Sequence, residues 1–155
     1  MRNKKLPEFA LLLEQFFTEY MPLSSGLSPN TVRSYKHSFR LLFQYIHQAK
    51  KKEAGEILFR DLDYETVDGF LRWIETERGC SVSTRNLRLS ALASFAAYAQ
   101  NRNFEATTVF ANAVRRVPVK RKPFNRGLSL PLAKCPSCSG SQTLKNALDS
   151  VTRFF

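Results

Sequence analysis

Three groups of residues in this sequence gather cations, two of them together with hydroxyls and amides, and such groups suit the recognition of anions. The first is Ser28, Asn30, Thr31, Arg33, Ser34 and Lys36, with Arg40 one turn further on. The second is Ser83-Thr84-Arg85-Asn86 with Arg88, and the third is Arg115-Arg116 followed by Lys120-Arg121-Lys122. A guanidinium offers a planar fork that fits phosphate, an ammonium offers a mobile point charge, and hydroxyl and amide groups add short-range donors. Nucleophilic catalysis has no comparable support. The last histidine is His47 and the last tyrosine is Tyr98, and no serine or tyrosine has a base or oxyanion partner that spacing identifies.

The elements that position these groups are helices. Ser28 is a good N-cap and Pro29 suits a first helical position. From there, Val32, Tyr35, Phe39, Leu42, Phe43 and Ile46 fall within an arc roughly 100° wide, while Arg33, Lys36, His37, Arg40, Gln44 and His47 lie on the flank beside it. A preceding helix is expected from about Pro7 to Tyr20, with Leu6, Phe9, Leu12, Leu13, Phe16, Phe17 and Tyr20 as its stripe and Met21-Pro22 as its stop. Lys50 to Lys52 and Gly55 read as a basic, flexible loop.

A third helix is capped by Asp61 or Asp63, buries Val67, Phe70, Leu71 and Ile74, and stops at Gly79. Its Asp68, Glu75 and Glu77 place acid where a phosphate backbone would be repelled, so this helix is expected to face away from a polyanion. A fourth starts near Ser81 or Ser83 and carries Leu87, Ala91, Leu92, Phe95, Ala96, Tyr98 and Ala99 as a broad apolar face. Its opening, Ser81-Val-Ser-Thr84, echoes Ser28-Pro-Asn-Thr31. A short fifth helix over about Ala106 to Val114 exposes Val109, Phe110 and Val114 on a thin stripe. The prolines after it make Arg115 to Pro123 a non-helical, solvated run suited to following a phosphate backbone.

Composition agrees with an anionic partner. The 155 residues carry a formal charge of +11 and are 43% hydrophobic, enough for one domain with a core. DNA, RNA and an anionic membrane surface are the partner classes this charge admits. No run is apolar enough to span a bilayer, and Glu8, Glu14 and Gln15 interrupt the N-terminal apolar stretch where a signal peptide would be continuous. Three cysteines argue against a disulfide framework, and a cytoplasmic location is expected. Cys135-Pro-Ser-Cys138 resembles half of a zinc knuckle, but Cys80 is remote and no histidine lies nearby. No metal and no cofactor are therefore expected.

Leu27-Ser-Pro-Asn-Thr-Val-Arg-Ser-Tyr-Lys36, then Ser83-Thr-Arg-Asn-Leu-Arg-Leu-Ser-Ala-Leu92 with Phe95 and Tyr98, and the exit Val117-Pro-Val-Lys120 resemble the N-terminal core-binding region of tyrosine recombinases. The match covers roughly residues 5–127. The resemblance implies an all-α, SAM-like bundle of four or five helices whose second and fourth helices meet the major groove of double-stranded DNA. It implies contacts from Ser28, Asn30, Thr31, Arg33, Ser34, Lys36, Ser83, Thr84, Arg85, Asn86 and Arg88. Arg40 on the same flank, and the basic run of Arg115, Arg116, Lys120, Arg121 and Lys122, join that set on charge.

The expected organisation is a DNA-binding bundle over residues 1–116, a basic linker over 117–127 and a disordered tail over 128–155. In the family, a C-terminal domain supplies the nucleophilic tyrosine, two arginines, a lysine and a histidine or tryptophan. Nothing after Val119 provides His or Tyr, so a chain truncated before catalysis, binding DNA for integration and recombination without cutting it, is the expected reading. Alternatives are a stand-alone helical DNA-binding regulator, or an interaction module whose first and fifth helices dock on other recombinase protomers.

Overall fold

The computed structural model describes residues 7–24 and 26–121. Five α-helices form the bundle, and no strand occurs among the described residues. Helix α1, Glu8–Gln15, starts where the Pro7 carbonyl accepts the amides of Ala10 and Leu11 at 2.9 and 3.2 Å. The stop expected at Met21-Pro22 does not occur. The chain instead continues as a π-helix over Phe16–Ser24 with Pro22 inside it. Phe16 and Met21, five residues apart, are both fully buried, and the five-residue bonding register of a π-helix stacks them on one side.

Helix α2, Pro29–Lys50, has Ser28 as its N-cap and ends at Lys51, whose φ of +54° is left-handed and whose amide returns to the His47 carbonyl at 3.1 Å. Phe39, Leu42 and Ile46 are buried as the pattern requires, and Leu41 joins them. The basic loop beyond is fastened. Lys50 Nζ donates to the Asp61 carbonyl at 2.8 Å, and Lys52 Nζ reaches Asp61 Oδ1 at 2.6 Å. Asp63 caps α3, Tyr64–Thr76, by accepting from the Thr66 amide at 3.0 Å. Gly79, at φ +58°, lies in the left-handed region and lets the chain fold back over that end, where the Cys80 amide bonds to the Ile74 carbonyl at 3.2 Å.

Helix α4, Val82–Arg102, and helix α5, Phe104–Arg116, form a hairpin around Asn103, whose side chain accepts from the Ala106 amide at 3.1 Å. Phe95 of α4 is the hub of the core. Its ring meets Phe9, Phe16, Phe39, Phe59 and Phe110 at centroid distances of 5.3–6.2 Å, so α1, the π-helix, α2, the turn at Phe59–Asp61 and α5 converge on one side chain. Two apolar assignments need correcting. Leu87 is 42% exposed, because the inward face of α4 runs through Arg85, Leu89, Leu92, Phe95, Ala96 and Ala99. The α5 stripe is covered, not exposed. Phe110 and Val114 are buried against the bundle, which leaves Val109 and Phe104 on its outer side.

Replacing the hub should be severe. Phe95→Ala is expected to cost ~3–5 kcal/mol by cavity formation, read as a lowered urea midpoint without a change in slope. Asp61 gives a second expectation. Burial acts to raise its pKa, but the Lys52 hydrogen bond, the Leu58 amide and the charges of Lys52 and Lys50 outweigh it and leave the carboxyl below its ordinary range. Asp63 is lowered first by the Thr66 hydroxyl. A depressed folded pKa stabilises above the unfolded value, about 3.9 for Asp, and that contribution disappears as pH falls through the folded value. The urea midpoint should therefore drop below about pH 4, and less steeply in Asp61→Asn.

Candidate nucleic-acid interface

The two hydroxyl-rich helix starts are built alike. Ser28 Oγ accepts from the Thr31 amide at 3.3 Å and lies 3.0 Å from the Thr31 hydroxyl. Ser81 repeats this with Thr84, at 3.3 and 3.2 Å. In each case a Ser-x-x-Thr cap fixes the first turn and engages the Thr hydroxyl. Asn30 and Ser83 lie between cap and threonine and are exposed.

On α2 the cationic flank is open. Arg33, Lys36 and Arg40 are exposed, and the Lys36 ammonium stands 5.8 Å from the centre of the Phe17 ring. His37 lies among them. Burial, followed by the charges of Arg88, Arg40 and Arg78, pushes its pKa below the usual histidine value, so it is neutral at pH 7.

On α4 the arginines behave differently. Arg85 is 2% exposed and Arg88 9% exposed, so neither side chain expected at the DNA lies on an open face of the bundle. Arg88 Nη1 donates at 3.0 Å to the Ser34 carbonyl and at 3.0 Å to Ser38 Oγ, which ties α4 to the first half of α2. Ser34 is half-buried, and its carbonyl also accepts the Ser38 hydroxyl at 2.9 Å. Arg85 Nη1 donates to the Pro118 carbonyl at 3.0 Å and to Asn86 Oδ1 at 3.3 Å, while its Nε lies 3.7 Å from Glu75 Oε2.

The exit from α5 is held by the same corner. Asn86 Nδ2 donates to the Lys120 carbonyl at 2.7 Å, and Asn86 Oδ1 accepts the Lys120 amide at 3.2 Å. Lys120 Nζ reaches Glu75 Oε2 at 2.6 Å, and Val117 is buried. The solvated run expected after α5 is therefore docked through Lys120, and Arg115 and Arg116 belong to the helix itself. Arg115 donates to Gln100 Oε1 at 2.8 Å, and Arg116 stacks 5.2 Å from the centre of the Tyr64 ring. Arg121 is exposed. Lys122, Cys135, Cys138 and the expected tail lie outside the described residues.

The acidic third helix is also less segregated than its composition implies. Asp68 pairs with Arg72 at 2.8 Å, but Glu75 turns toward Arg85 and Lys120, because a buried guanidinium needs a counter-charge. Sequence reasoning places Glu75 only on a repelling face and passes over Ser38 altogether. A signal for the inward arginines is nonetheless present: Arg85, Leu89, Leu92, Ala96 and Ala99 follow the alternating four- and three-residue steps of a buried helical face.

The phage integrase N-terminal SAM-like domain model matches residues 13–103. The chain belongs to this family. It is 34% identical over 124 residues, or 80% of its length, to a protein of Sinorhizobium fredii named as integrase/recombinase y4rC, and 29% identical over 112 residues to y4rD of the same organism. It is also 25% identical over 100 residues to the tyrosine recombinase XerC of Caldanaerobacter subterraneus. These matches span 36%, 40% and 28% of the respective relatives, less than half of each. No solved structure matches the chain. Family membership makes this bundle a tyrosine-recombinase N-terminal domain. No described helix is long and apolar enough to cross a membrane.

Burial separates the cations into two classes with opposite mutational signatures. Arg85→Ala should destabilise by ~1–3 kcal/mol, because it leaves the Pro118 carbonyl without its donor while Glu75 keeps Lys120 as its counter-charge. Arg33→Ala should stay within about 0.5 kcal/mol of wild type. Equilibrium urea unfolding of both variants checks the division.

Proposed function

We propose that this domain binds duplex DNA as the core-binding half of a recombinase, with the exposed flank of α2 as its main phosphate-binding surface. The observation that carries the reading is the alignment of Arg33, Lys36 and Arg40 on one open face, beside a helix start that Arg88 fixes against Ser34. Asn30 and Ser83, exposed at the two matched helix starts, are the candidates for reaching base edges. Arg85 and Arg88 act by holding the elements in register, and Asn86 by holding the exit. Lys120 and Arg121 extend the cationic surface past α4.

Exposed on a common face, the α2 cations can meet successive phosphates without disturbing the core. Binding of this kind releases counterions, so affinity should fall steeply with salt. A domain acting alone is expected near the non-specific range of about 10⁻⁴–10⁻⁶ M at physiological salt.

The test is fluorescence anisotropy on a labelled duplex across a salt series. Removing Arg33 and Arg40 together should weaken binding and reduce the magnitude of the log K against log salt slope by about 0.9 for each phosphate no longer neutralised. A double variant that binds like wild type would show the face to be misassigned. Nicking of supercoiled DNA by the purified chain would overturn the reading of this domain as a binding half.

A further inference from the structure

We infer that Glu75 is an internal stand-in for a phosphate, masking Lys120 until DNA displaces it while the exit segment stays docked. This rests on the DNA-binding reading above and adds to it a regulated cation. The exit is held by two kinds of bond. Its backbone is fixed by Arg85 at the Pro118 carbonyl and by Asn86, which bonds both the amide and the carbonyl of Lys120. Its charge is held separately, by Glu75 Oε2 at 2.6 Å from Lys120 Nζ.

These two attachments differ in strength. The Lys120 side chain is 48% exposed, so its ion pair is screened and worth little, and its flexible stem can change partner. Arg85 is almost completely covered and already lies near the same carboxylate oxygen, so Glu75 retains a counter-charge after Lys120 leaves. The backbone bonds need not break during the exchange. A phosphate reaching this corner would take the ammonium from the carboxylate, and the chain would still leave the bundle in the same direction.

Masking has a thermodynamic signature. When Lys120 moves to a phosphate it gives up the Glu75 carboxylate, so the loss of one ion pair offsets part of the gain from the other, while Glu75 keeps Arg85 as its counter-charge. Glu75→Gln removes that loss, and affinity at low salt should rise several-fold. In the Lys120→Gln background the same substitution should give no such gain, and Glu65→Gln, an exposed acid at the other end of α3, should leave affinity unchanged.

The docking half is read without DNA, by amide hydrogen exchange. The Lys120 amide should be protected in wild type and in Lys120→Gln, and should lose protection in Asn86→Ala while the α2 core amides keep theirs. An unprotected Lys120 amide in wild type, an unchanged affinity in Glu75→Gln, or an increase that persists without Lys120 would each overturn the inference. If no variant binds DNA, the proposed function fails with it, whereas DNA binding with an unchanged affinity in Glu75→Gln refutes the masking alone.

Discussion

Two guanidinium groups buried one turn apart on α4 set the terms for everything around them. A charge removed from water is costly unless its hydrogen bonds and counter-charge are supplied locally. Arg88 obtains its acceptors from Ser34 and Ser38 of α2; Arg85 obtains its acceptors from Asn86 and Pro118 and its counter-charge from Glu75. Because the two side chains lie on the same helix, satisfying them fixes the α2 start, the α3 end and the α5 exit relative to one another. The polar part of the bundle is in this sense a framework for geometry rather than a source of net stability.

The apolar part works at the other end of the same helix. Phe95 draws α1, the π-helix, α2 and α5 together through edge-on and tilted ring contacts. Such contacts are directional as well as hydrophobic, so they define helix orientation and not only burial. Helix α3 enters differently, by Phe70 and Trp73 against Tyr45 and by a close approach at Gly69, where any added methyl would run into the Tyr45 hydroxyl. The outcome is a packed bundle that fixes the backbone positions from which the α2 cations project. That matters to the proposed phosphate-binding surface, since ordering a loose platform on binding would consume the small free energy that each phosphate provides.

Residues of one type are thus divided between two environments. Arg33 and Arg40 face water, while Arg85 and Arg88 face the interior, although all four sit in runs of similar composition. The match to the integrase N-terminal model and the relatives named as recombinases fix the family, and the division among arginines separates those that hold the bundle from those open to solvent. Glu75, acidic and close to that face, is accounted for by the buried charge it serves.

The sequence alone determined the local features. Ser28 marks one helix start, Asp61 or Asp63 and Ser81 or Ser83 narrow two more to a choice of two residues, Gly79 marks a stop, and the stripes through Phe39, Leu42, Ile46, Val67, Phe70, Leu71 and Ile74 mark inward faces, because capping and periodicity act within a few residues. The motifs around Ser28 and Ser83 also carried the family. Tertiary structure decided what those cues could not reach. Whether Pro22 ends a helix or sits in a π-turn depends on the fit of Phe16 and Met21 to the core, and whether Phe110 is exposed depends on the rings of Phe59 and Phe95. Whether an arginine meets a ligand or serves as a strut depends on acceptors more than thirty residues away, at Pro118 and Ser34. Charge is written residue by residue, but its partner is chosen only when distant backbone carbonyls are brought into the same small, dry space.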